Sequence, residues 1–150
     1  VLKSKEKYVV IYPNNDLGSS YILEEYKRLE GKPNIKIFPS LRFEYFLRLL
    51  KESNFIIGNS SAGVREAPYY NVPTIDIGNR QNNRAKANSI VNVDYNSIEI
   101  EYAINNISLN RNTKIDITEF GNGNSDQLFL HLLNSEKLWK VNCQKQFQDL

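Results

Sequence analysis

The chain has 150 residues, 41% of them hydrophobic and 24% charged, and a net charge of +2. That size fits one domain able to bury a proper core, and the balance is that of a globular protein rather than a disordered or membrane-spanning one. One cysteine (Cys143) and one histidine (His131) exclude an internal disulfide and any multi-cysteine or histidine-based metal site, while dispersed lysines and arginines build no basic face for nucleic acid.

In chain order, "KYVVIYP" predicts a strand over 7–13 and "SYILEEYKRL" an amphipathic helix over 20–29, with apolar residues at 22, 23, 26 and 29. "NIKIFP" predicts a second strand over 34–39. The helix expected over 41–53 carries a stripe through Phe43, Phe46, Leu47 and Leu50. "NFIIG" (54–58) reads as a buried strand and "AGVREAPYY" (62–70) as a short helix that Pro68 kinks or ends. "PTIDIG" (73–78) is another strand, followed by the polar loop 79–88, a strand over 89–93 and a helix over 97–107. A glycine turn opens a helix within 119–133, and 135–147 reads as a helical tail.

Strand–helix alternation at this spacing implies right-handed βαβ units around a parallel sheet covered on both faces: an α/β, three-layer Rossmann-like domain spanning 1–150, with 134–150 as its tail. The apolar runs are strand-length, so no membrane span is expected. No signal-peptide pattern opens the chain, which points to the cytoplasm. The chain starts at Val1 and has no methionine, so it is expected to be a piece of something longer.

In open parallel sheets ligands bind beyond the carboxyl ends of the strands. The loops "YPNND", "FPSLRF", "GNSSAG" and "GNRQNNR" are therefore expected to converge on one crevice. Gly58 and Gly63 have P-loop spacing, but the lysine that such a loop needs is Val64 here. The dinucleotide fingerprint is absent, and neither Ser60 nor Ser61 is flanked by two glycines as a nucleophile elbow demands. What remains is a helix start with open amides and two hydroxyls, suited to an anion, or a plain serine cap.

Glu66, one turn on, can lean back toward that turn and accept from a ribose diol, or simply be a solvated helix glutamate. Arg80 can clamp a diphosphate bidentately, or be a surface arginine. Asp16 is a candidate cap for the helix behind it, and His131 reads as a half-buried helix residue.

"IGNSSAGVREAP", "VPTIDIGNRQNNR" and "FGNGNSDQL" in order resemble the C-terminal half of the UDP-N-acetylglucosamine 2-epimerases. The hydrolysing branch of sialic-acid and capsule-sugar pathways is the closer one, with its doubled serine after G-N and its arginine–glutamine pair after I-G. The resemblance implies the C-terminal half of a GT-B fold, with UDP-N-acetylglucosamine or UDP bound between two domains. It implies no cofactor and no metal, and a homo-oligomeric full-length protein.

Carried over, Ser60 and Ser61 bind the phosphates in a turn that includes Gly63, Glu66 holds the ribose, and Arg80 with its neighbour Gln81 meets the diphosphate. The backbone around Leu41 and Arg42 contacts the uracil, and "GNGNS" lines the cleft. Tyr12 stands where some members have a histidine, which alters one nucleotide contact. Asn83 replaces a usual glycine, which puts the loop around Arg84 in question.

The implied reaction removes the C2 proton of the amino sugar, expels UDP by anti elimination and adds water to the glycal, releasing N-acetylmannosamine. Its acid and base belong to an N-terminal domain absent here, so no catalytic residue is expected in this chain. A GT-B glycosyltransferase half and a binding-only UDP-sugar module are the rival readings.

Overall fold

The computed structural model describes residues 6–85, 87–107 and 121–141. The chain divides into two compact units, Val1–Ile115 and Asp116–Leu150.

In the first unit β1 (Tyr8–Ile11) leads to α1 (Ser19–Lys27), then β2 (Ile35–Phe38), α2 (Phe43–Glu52) and β3 (Ile56–Gly58). A 3-10 turn (Ser61–Gly63) and the one-turn α3 (Glu66–Tyr69) follow, then β4 (Thr74–Ile77), β5 (Ile90–Val93) and α4 (Ser97–Asn106). All described strand pairs are parallel, hydrogen-bonded in two groups, β1–β2 and β3–β4–β5. The Tyr8 ring meets Phe55, the residue before β3, edge-on at 6.3 Å.

Alternation along β3 and β4 builds the layers. Ile56 packs with Leu50 of α2, Ala67 of α3 and Val72 on one face. Ile57, Ile75 and Ile77 pack with Ala103 and Ile107 from the α4 side on the other. A parallel sheet flanked on both faces by helices is the α/β Rossmann-like arrangement expected from the sequence.

Three local expectations are corrected. Phe43 is 60% exposed and stacks on Phe46 at 6.4 Å, so the α2 stripe reaches the core only from Phe46 onward. No residue of α1 is buried.

The helix expected over 62–70 is broken at Val64–Arg65, and the cause is the Gly63 carbonyl. In a continuous helix that carbonyl would accept from the N–H of Ala67; instead it accepts from the buried Thr74 hydroxyl at 2.6 Å. Past the break, α3 tolerates Pro68 because first-turn amides need no helical acceptor. α3 ends in a Schellman arrangement, with Asn71 left-handed (φ 58), Val72 N–H on the Ala67 carbonyl at 2.9 Å and Asn71 N–H on Pro68 at 3.0 Å.

The second unit holds α5 (Ser125–Leu133) and the one-turn α6 (Glu136–Trp139), joined by a Trp139 indole bond to the Leu133 carbonyl at 2.9 Å. His131 is exposed in the last turn of α5, not half-buried as expected. Cys143, Phe120 and the rest of the expected tail lie outside the described residues. Among the described residues no helix is long and apolar enough to cross a membrane.

Candidate functional site

Three bonds draw the strand-end loops together on the carboxyl edge. Tyr12 N–H donates to the Phe38 carbonyl at 3.1 Å, joining the ends of β1 and β2. The Arg80 guanidinium, in the loop after β4, meets Asp16 after β1 at 3.3 Å. Gln81 Nε2 donates to the Asn59 carbonyl after β3 at 2.7 Å. The four loops named from the sequence thus share one edge, where the fold class places ligands.

The turn after β3 begins at Gly58, whose φ of 144 is a backbone conformation that side-chain-bearing residues rarely adopt. Ser60 is the cap: its hydroxyl accepts from the Ala62 N–H at 3.3 Å. The capping reading and an anion-binding reading are compatible, because the Ser60 hydroxyl proton is still available to donate. Among the described residues, the N–H groups of Ser60 and Ser61 have no acceptor. The element they open is a single 3-10 turn rather than a regular helix, so the anion attraction expected of a long helix dipole reduces to local N–H groups.

Gly63 is buried, and a Cβ there would lie 2.7 Å from Thr74 Cγ2, so its place in the turn answers a packing need. Glu66 opens α3, and its Oε2 is a buried acceptor with no donor among the described residues. Such an atom costs about 1–3 kcal/mol unless a ligand or water supplies a proton.

Arg80 remains half-exposed despite its ion pair, with 52% of its side chain accessible. Asp16 does not cap α1: Gly18 holds the cap position with no side-chain bond, and the Asp16 carboxylate faces Arg80 instead. Gln81 is 3% exposed, and its other amide atom, Oε1, accepts from Arg84 Nη1 at 3.4 Å. Asn83 takes the left-handed conformation (φ 62) that the glycine it replaces would supply, which asparagine tolerates better than most residues. The Arg84 loop is therefore formed without glycine.

Leu41 is half-buried, and its backbone groups have no partner among the described residues, whereas the Arg42 carbonyl accepts from Phe46 N–H at 3.0 Å. The Tyr12 ring leans on Tyr26 of α1 at 6.2 Å.

The residue that sequence reasoning missed is Asp76. It is 1% exposed in β4, in register with Gly58 on one side and Asn92 on the other, and its Oδ2 has no partner among the described residues. Burial pushes its carboxyl above the usual 3.8. A charged residue between the two isoleucines of "TIDI" was the available signal. A cavity of about 310 Å³ opens between Val64, Ile90, Asn92 and the Gln81–Asn83 turn. Among the described residues no group of three or more histidine, cysteine or acidic side chains could hold a metal.

Comparison with known proteins gives the family described as UDP-N-acetylglucosamine 2-epimerase, whose model matches residues 1–134. A UDP-N-acetylglucosamine 2-epimerase of Neisseria meningitidis is 44% identical over 98% of this chain and 39% of its own length. Polysialic acid biosynthesis protein P7 of Escherichia coli is 34% identical over 69% of the chain and 26% of its own length. A UDP-N,N'-diacetylbacillosamine 2-epimerase (hydrolyzing) of Legionella pneumophila is 30% identical over 62% and 25%. The chain thus spans well under half the length of each of these relatives.

Proposed function

Since the chain belongs to the UDP-N-acetylglucosamine 2-epimerase family, we propose that it forms the UDP-binding half of a hydrolysing UDP-N-acetylglucosamine 2-epimerase serving sialic-acid or surface-polysaccharide synthesis. The observation that carries this reading is the pairing of unmet groups along one edge. Among the described residues, Ser60 and Ser61 offer N–H donors without acceptors, and six residues after Ser60 the Glu66 Oε2 is an acceptor without a donor. A nucleoside diphosphate carries both complements, phosphate oxygens for the amides and a ribose diol for the carboxylate.

Arg80 takes the remaining diphosphate charge, and Leu41 offers an open backbone donor and acceptor to a uracil edge. The hydrolysing branch is favoured by the Legionella pneumophila relative, whose name specifies hydrolysis.

In the reaction, C2 loses its proton and UDP departs; water then adds to the glycal and N-acetylmannosamine is released. This chain's contribution is to stabilise negative charge as it builds on the departing diphosphate, through Arg80 and the Ser60–Ser61 amides. The acid and base that handle the sugar come from a second, N-terminal domain. Incubating the intact protein with UDP-N-acetylglucosamine and following products by NMR tests the reading. Free UDP with N-acetylmannosamine is expected. UDP-N-acetylmannosamine without free UDP would assign it to the non-hydrolysing branch, and UDP binding without turnover would leave a binding module.

A further inference from the structure

We propose that Gln81 is a positioning residue that aims the Ser60 N–H at the ligand, and that it does not touch the ligand itself. The proposal rests on the assignment of the Ser60–Ser61 turn to the diphosphate.

Both ends of the Gln81 amide are engaged inside the protein. Nε2 donates to the Asn59 carbonyl at 2.7 Å, and Oε1 accepts from Arg84 at 3.4 Å. At 3% exposure the side chain has little surface left to offer a phosphate. The Asn59 carbonyl and the Ser60 N–H belong to the same peptide unit. That unit is planar and trans, so the two bonds point in opposite directions. Holding the carbonyl toward Gln81 therefore turns the Ser60 N–H away from it, where it has no acceptor among the described residues. Without this grip the peptide plane could rotate about its two flanking dihedrals, ψ of Asn59 and φ of Ser60.

The same bond sets the distance between the turn after β3 and the loop that carries Arg80, the adjacent residue. Glutamine suits the contact because the two ends of its planar amide offer a donor toward Asn59 and an acceptor toward Arg84 at once. A glutamate would keep the bond to Arg84 and set two oxygens against each other at Asn59.

UDP and uridine affinities of the intact protein, with Tm and the Ser60 amide NMR signal during titration, provide the test. In Gln81→Glu, UDP binding is expected to weaken about tenfold or more, the loss of one aimed donor to a charged group. Uridine affinity should stay within about twofold, and the Ser60 signal should no longer respond to UDP. Arg84→Ala, an exposed change that frees only the far end of Gln81, is expected to give a smaller loss of the same kind, and decides the matter should the first variant fail to fold.

A lower Tm with UDP affinity intact, or equal losses for UDP and uridine, would overturn the positioning role. Equal affinity of the unmodified protein for UDP and uridine would instead overturn the diphosphate assignment itself.

Discussion

Arg80 and Asp16 form an ion pair whose side chains are 52% and 64% accessible, a class of contact worth about 0–1 kcal/mol. A diphosphate can therefore displace the Asp16 carboxylate at small cost and gain a stronger, bidentate partner. Arg80→Ala is expected to lose roughly 1.5–3 kcal/mol of UDP affinity, the range for hydrogen bonds to charged groups, with uridine binding unchanged by calorimetry. Matched losses for both ligands would remove the arginine from the diphosphate.

Asp76 makes the opposite case, a charge with nothing to meet. Its carboxyl binds a proton more tightly in the fold than in the unfolded chain, so stability falls as pH rises from the usual 3.8 through the raised folded value, then levels off. Asp76→Asn should abolish that slope in a Tm-against-pH series; an unchanged slope would place the titration elsewhere. Arg80 was legible in the sequence because an arginine after an apolar strand is a local signal. Asp76 left only a faint one, a charge between two strand isoleucines, because its isolation depends on what packs over it.

At the scale of elements, periodicity identified the strands and α2 and α4 within a few residues, since apolar spacing reports directly on which face is buried. It failed over 62–70 for a reason no local pattern contains: Thr74, eleven residues downstream of Gly63, captures a carbonyl that the helix needed. The same contact explains why position 63 is glycine. Gly63→Ala would drive a methyl to 2.7 Å from Thr74 Cγ2 inside a packed site, and overpacking of this kind costs about 1–3 kcal/mol. Urea unfolding should show that loss; wild-type stability would mean that β4 moves aside freely. The asparagine at 83 teaches a related lesson. The missing glycine cast doubt on the loop, yet the φ of 62 shows the same turn built by another residue that accepts it.

For the whole molecule, strand–helix alternation foretold an α/β Rossmann-like fold, and that fold in turn selected the edge on which Asp16, Asn59, Arg80 and Gln81 meet. What alternation could not supply was the ties between loops, each spanning more than twenty residues of chain.

These ties make a prediction about where ligand binding is felt. Binding to the folded state alone stabilises it by mass action, about 2.7 kcal/mol at a hundredfold excess over Kd, and the segments that close on the ligand slow their amide exchange most. With UDP bound, exchange in the intact protein should slow most across Asn59–Val64 and Asn79–Arg84, which Gln81 links into one unit. The α4 amides, whose Ala103 packs on the opposite face of the sheet, should change least within the first unit. Protection spread evenly over the first unit would mean that UDP tightens the domain without resting on that edge.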